Sequence, residues 1–271
     1  MFLKRVHILL VIIGFSLVLL NCGGYEKLLK SSDYKLKYER AMEYYNDEEY
    51  VRASTLFDQI APIYRGTIKA DTVFYYQAQS YYMQRDYILS GHHFNQLAIN
   101  YPNSIYSEES DYMTGYCFYK TSPKPSLDQG NTIKSINSFT LFMIKYPYSE
   151  RVGEARILIE EMRNKLVEKS YNSAKLYYDL GDYKASIIAL KNSLNAFPDT
   201  KYREELLFLT LRSSFLLAEN SIVSKQKERF QNTMDEYYSF IGEFPESKYK
   251  NEAERIYNDA VSFAGSTTQM E

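Results

Sequence analysis

Ala41, Tyr44, Tyr50, Ala53, Phe57 and Ile60 recur 37 residues later as Ala78, Tyr81, Tyr87, Ser90, Phe94 and Leu97. The pattern returns a third time as Ala174, Tyr177, Tyr183, Ser186 and Leu190. A period in the thirties, with helical spacing inside it, specifies stacked helix pairs, because one pair alone cannot bury its apolar face. The expected fold is therefore all-α, a superhelical array of about five helix pairs. Such an array is a scaffold before it is anything else.

Each pair is numbered by a small or aliphatic anchor in its first helix: Ala41, Ala78, Gly115, Ala174 and Leu211. A short side chain there lets the two helices approach closely, and the aromatic three residues later fills the groove. A second small residue follows twelve positions on, at Ala53, Ser90 and Ser186. Tyr101-Pro102-Asn103-Ser104, Tyr146-Pro147-Tyr148-Ser149, Phe197-Pro198-Asp199-Thr200 and Phe244-Pro245-Glu246-Ser247 punctuate the ends of four pairs. Proline stops the second helix, and the trailing Ser or Thr is expected to cap the next one.

Departures from the period are readable too. Pair three carries eight extra residues at positions 121–130, a loop by composition. Pair five carries ten extra around 219–226. A further 14 at 157–170 contain no Gly or Pro and continue the helical pattern through Leu158, Met162 and Leu166, so one long helix is expected there.

Tyrosine occupies 28 of the 271 positions and tryptophan none. Most of these rings are expected to fill grooves, with hydroxyls reaching the surface. One subset has a second use. First-helix positions turned away from the pair interior line the inner face of such an array: Tyr38, Met42 and Tyr45 in pair one, Tyr75, Gln79 and Tyr82 in pair two. That strip suits an extended peptide carrying aromatic side chains. Tyr75 and Tyr82 are expected to face outward and to be dispensable for folding.

The N-terminus belongs to a different regime. Lys4 and Arg5 precede a nearly unbroken apolar run over residues 6–20, followed by Leu19-Leu20-Asn21-Cys22-Gly23. A basic stretch and then an apolar run of this length reads as an export signal, and is short for a membrane span of about 20 residues. Cysteine directly after it resembles the bacterial lipobox, in which the thiol is acylated and the signal cut before it. Asn21 stands where Gly, Ala or Ser is usual; an uncut signal anchor is the alternative.

With the signal removed, 30 basic face 34 acidic side chains. That near-balance lacks the clustered basic excess of a nucleic-acid surface, so no nucleic-acid partner is expected. Cys117, among Tyr116, Phe118 and Tyr119, reads as a buried small hydrophobe. Adjacent His92 and His93 point about 100° apart on a helix and cannot share a metal in the i, i+4 manner. No phosphate loop, paired-His zinc motif or serine elbow is present. The acidic pairs Glu108-Glu109, Glu160-Glu161 and Glu204-Glu205 fit helix starts or solvated faces. No catalytic residue, metal or cofactor is expected beyond covalent lipid on Cys22.

Asp128-Gln129 with Thr132 three residues on, followed by Tyr146-Pro147-Tyr148-Ser149, resembles the BamD family in its Bacteroidetes-like form. These are tetratricopeptide-repeat lipoproteins of the outer-membrane β-barrel assembly machine. Further matching stretches are Tyr25-Glu26-Lys27-Leu28-Leu29-Lys30, Pro62-Ile63-Tyr64-Arg65-Gly66-Thr67, Lys165-Leu166, Lys169 and Phe197-Pro198-Asp199-Thr200. The resemblance implies a chain held on the periplasmic face of the outer membrane by acyl chains on Cys22. It implies docking on the periplasmic domains of the barrel-forming subunit through the C-terminal repeats, beside other assembly lipoproteins. Unfolded outer-membrane proteins, whose last strand ends in an aromatic residue, would be received near the N-terminal repeats. Gly23, rather than Asp, after Cys22 agrees with outer-membrane delivery by the same resemblance.

The resulting division is a signal at 1–21, a lipidated linker at 22–32, repeats one to three at 33–148, repeats four and five at 149–262, and a disordered tail at 263–271. Two other non-enzymatic readings compete. A lipid-anchored sugar-binding protein would stack sugars on tryptophan, which is absent. A periplasmic tetratricopeptide-repeat adaptor for cell-envelope or cell-wall machinery would carry the same repeats and differ in its partners.

Overall fold

The computed structural model describes residues 22–267, so the signal at 1–21 and the last positions of the expected tail, 268–271, lie outside the described residues. Within them are twelve α-helices and no strand. Helix α1 (Cys22–Lys30) precedes five pairs: α2 (Tyr34–Asn46) with α3 (Tyr50–Tyr64), α4 (Ala70–Met83) with α5 (Tyr87–Asn100), α6 (Ser107–Thr121) with α7 (Gly130–Lys145), α8 (Val152–Asp179) with α9 (Tyr183–Ala196), and α10 (Arg203–Glu219) with α11 (Val223–Glu243). Helix α12 (Lys250–Thr267) follows the last pair. This is the all-α array of helix pairs that the period specifies.

Two expectations at the ends are corrected. Most of the linker expected at 22–32 is helical, because Leu28 is buried in the core of the first pair and Tyr25 packs on Tyr44. Residues 263–267 of the expected tail are helical instead, since α12 continues through Thr267. The length changes inside the array resolve as helix or loop. Eight extra residues form the loop between α6 and α7, and 14 are absorbed in the unbroken 28-residue α8. The ten extra residues of pair five lengthen α10 and α11 around a short turn.

Close approach inside each pair rests on the anchors. Ala41, Ala78 and Leu211 are fully buried, and Ala174 nearly so. Gly115 is the tightest case: a Cβ there would stand 2.9 Å from Phe139 Cδ1. The second-helix hydroxyls add a polar stitch. Ser90 donates to the Ala78 carbonyl and Ser135 to the Gly115 carbonyl, both at 3.1 Å. Each bond satisfies a buried hydroxyl that would otherwise cost about 1–3 kcal/mol. Behind these contacts Phe57, Ile60, Phe94, Leu97, Phe139 and Phe142 are buried in the first unit, and Leu190 and Phe240 in separate clusters of the second. The aromatics three after the anchors are less enclosed than the groove-filling role requires, and Tyr177 is exposed.

The turn within a pair has its own chemistry. Glu48, Arg85 and Gly181, each seven residues after an anchor, adopt positive φ (61°, 62° and 77°). Glycine accommodates that region without cost, whereas the other two strain it. Asp86 and Asp182 follow directly and cap the next helix through the Leu89 and Ala185 N–H groups. Between pairs the expected capping role is corrected. Ser104, Ser149, Thr200 and Ser247 accept the N–H two residues on, ahead of the next helix. They close a turn instead, because the helix starts too late for them to reach its first free donors.

The chain divides into two compact units. One takes the described chain up to Ser122 together with Gly130–Met162; the other takes Pro123–Gln129 together with the chain from Arg163 onward. The division falls inside α8 rather than at the proline turn before it. In the first unit each helix from α3 to α7 packs on the one before it, and in the second the same holds from α10 to α12.

Candidate peptide-docking site

The six strip residues lie in the first unit, on α2 and α4, and all are half-buried. Tyr45 meets Tyr76 edge-on at 4.9 Å, and Tyr76 meets Tyr75 at 5.4 Å. Tyr75 stacks on Tyr106 at 4.1 Å and touches Phe94. Tyr45 and Tyr75 are therefore joined through Tyr76 into one run of rings. Gln79 joins it by donating to the Tyr75 hydroxyl at 2.9 Å, and that hydroxyl donates to Glu109 at 2.9 Å. Tyr82 belongs to a second run, with Tyr87 at 5.6 Å and Tyr116 at 6.4 Å. Tyr38 stands apart, stacked on Tyr64 at 5.6 Å under the Lys69 ammonium, while Met42 packs into the core of the first pair.

This geometry corrects the expectation that Tyr75 is dispensable. Its ring bridges pairs two and three, and both sides of its hydroxyl are engaged. Burial raises its pKa first, followed by the Glu109 charge and hydrogen bond. Burial also pushes Tyr45 to about 12, with Tyr50 and Tyr76 adding to it. Tyr38 and Tyr82 are raised mainly by burial. These phenols stay neutral across the physiological range and present ring faces with a polar tip.

Sequence reasoning missed the partners of these rings. Three residues before each anchor stands an aromatic: Tyr38, Tyr75, Tyr112, Tyr171 and Phe208. In the first unit Lys69 covers Tyr38 at 4.6 Å, Tyr106 covers Tyr75, and Arg151 covers Tyr112 at 4.7 Å. In the second unit Tyr202 stacks on Tyr171 at 4.0 Å and Tyr249 on Phe208 at 4.2 Å. Four of the five covering residues stand four positions beyond the punctuating proline, and Lys69 stands four beyond Arg65, so a fixed offset would have found them. The aromatic three before the anchor is thus a joint between successive pairs. Tyr82 stands outside this set of joints, its ring meeting Tyr87 and Tyr116 at 5.6 and 6.4 Å.

The Asp128-Gln129-Thr132 motif resolves into loop chemistry. Gln129 is buried and donates to the carbonyls of Lys124 and Leu127 at 2.8 and 3.0 Å, while Lys169 donates to the Leu127 carbonyl at 2.8 Å. In the first unit Thr132 shares a hydrogen bond with Ser122 at 2.7 Å. Cys117 is buried, and burial lifts its thiol to about 11. His93 stacks on Tyr81 and is shifted down by burial. No group of His, Cys, Asp or Glu that could hold a metal occurs among the described residues.

A family model described as YfiO, outer membrane lipoprotein, matches residues 31–227, well over half of the chain. The chain belongs to that family. YfiO lipoproteins are the BamD-like group that the loop and turn motifs resemble, and the matched segment contains all six strip residues. Cys22 precedes the matched YfiO segment. No curated protein matches the chain significantly. Among solved structures, the TPR2AB-domain:pHSP90-complex of yeast Sti1 is similar, at 13% identity and a TM-score of 0.38, over 85% of this chain and 99% of that one. No described helix of this YfiO-family chain is long and apolar enough to cross a membrane.

Proposed function

We propose that this protein is a lipid-anchored scaffold subunit of the outer-membrane β-barrel assembly complex. Acyl chains on Cys22 hold it at the periplasmic face of the outer membrane, since two or more chains give stable anchoring without a membrane-spanning helix. Its first unit receives unfolded outer-membrane proteins. Its C-terminal repeats dock on the periplasmic domains of the barrel-forming subunit, beside other assembly lipoproteins. The observation that carries this reading is the YfiO family match over residues 31–227, and the two runs of tyrosine rings that include Tyr45, Tyr75 and Tyr82 support the receiving role.

An extended segment ending in an aromatic residue suits such a surface for a physical reason. Its backbone remains solvated while its terminal ring packs edge-on against phenol faces, a contact worth about 0.5–1.5 kcal/mol beyond the area buried. The test is a calorimetric titration with a peptide whose last strand ends in phenylalanine. Tyr82→Ala is expected to weaken binding about tenfold, equivalent to about 1.4 kcal/mol, with helix content unchanged. Unaltered affinity would remove the receiving role from this strip. A cell-wall adaptor would bind no such peptide at all.

A further inference from the structure

The first unit carries an apolar row that the aromatic strip does not use. Two positions before each second-helix small residue stand Val51, Ile88 and Ile133, exposed by 66%, 74% and 48%. They project from the starts of α3, α5 and α7, at the edge formed by the turns within the pairs. The equivalent positions of pairs four and five are Lys184 and Gln231. At this position the apolar side chain is a feature of the first three pairs and not a demand of the repeat, although Leu180, Ile222 and Val223 are exposed at the corresponding turns of the later pairs.

Helix α1 says where this edge lies relative to the anchor. Tyr25 packs against Tyr44 at 5.6 Å, and its hydroxyl donates to the Arg52 carbonyl at 3.3 Å. Further along, the Leu29 carbonyl accepts from Lys37 at 3.0 Å. Helix α1 thus runs antiparallel to α2, with Tyr25 beside the α2–α3 turn and Cys22 most of a helical turn beyond it. No spacer separates Cys22 from the folded chain. The opposite edge, formed by the turns between pairs, carries Ile68 and Ile105, exposed by 98% and 86%. The 14-residue α4 spans the distance between the two edges, about 21 Å at 1.5 Å per residue.

We infer that the edge bearing Val51, Ile88 and Ile133 rests on the lipid surface, with these side chains in the interfacial layer, while the Ile68–Ile105 edge faces away from it. The occupant is a bilayer because the chain enters the fold at this edge directly from its acylated residue. The surface it fits is zwitterionic: Asp47, Glu48 and Asp86 outnumber Arg85 on the same edge and would be repelled by anionic headgroups. This orientation rests on acylation of Cys22, as proposed above. It fixes which edge of the array is open to aqueous partners.

The absence of tryptophan makes the test direct. Ile88→Trp, Ile133→Trp and Ile105→Trp each introduce a single emitter at an exposed position. The mature acylated full-length proteins would be purified from membranes and reconstituted into vesicles of phosphatidylcholine and phosphatidylethanolamine, with and without phosphatidylcholine brominated on its acyl chains. The expected result is blue-shifted, bromine-quenched emission from Ile88→Trp and Ile133→Trp, and neither effect from Ile105→Trp. Proteins that float with the vesicles while the first two stay unquenched, or while all three are quenched alike, would overturn the orientation. A protein that does not float with the vesicles, as expected of a Cys22→Ser control, would instead overturn the anchored reading on which it depends.

Discussion

Gly115 is where a single hydrogen matters most. Phe139 occupies the space a methyl group would need, and overpacking of this kind costs about 1–3 kcal/mol. Gly115→Ala is expected to lower the unfolding free energy by that amount, read as a lower urea midpoint with the denaturant slope unchanged. Titration gives a second check at the same scale. Burial raises Cys117 from 9.0 to about 11 and Tyr45 from 10.0 to about 12. Groups with raised folded-state values contribute their full stability below the unfolded value and lose it as pH climbs through the folded one. Stability is therefore expected to hold up to about pH 9 and to fall between pH 9 and 12 in urea titrations, with Cys117→Ala removing the earliest part of the decline. The anchors were legible because a small residue recurring at 37 positions has few explanations. Tyr75 was not, because the residue that locks it, Tyr106, belongs to the next pair.

At the scale of elements, sequence and structure part company where tertiary contacts override local composition. Residues 22–30 contain two glycines and two lysines, yet they form a helix, because Leu28 reaches a buried site and Lys37 supplies a donor to the Leu29 carbonyl. Lys37 is 4% exposed and also donates to Gln59 at 2.7 Å. Nothing in the period of the repeats marks that lysine, which sits on an otherwise ordinary helical face. Lys37→Met keeps the aliphatic stem and removes both bonds. Faster amide hydrogen exchange in residues 24–30, with α4 to α7 unaffected, is the expected outcome. The long α8 was legible from its unbroken pattern, whereas the Ser and Thr of the proline turns were given the wrong task. Their spacing to the next helix start is set by the turn's geometry, which composition does not encode.

For the whole molecule, membership of the YfiO family and an all-α array of five pairs agree with the reading of the repeats. The packing also gives a reason why aromatic residues are so abundant. Within each unit the rings three before the anchors are covered by a residue from the following turn, Tyr75, Tyr171 and Phe208 by a stacked ring and Tyr38 and Tyr112 by a cation. These contacts tie neighbouring elements together inside each unit. Purifying the untagged partners of the full-length protein from membranes, and identifying them by mass, tests the central claim most directly. Stoichiometric recovery of the barrel-forming assembly subunit is predicted; recovery of peptidoglycan synthases in its place would contradict the account.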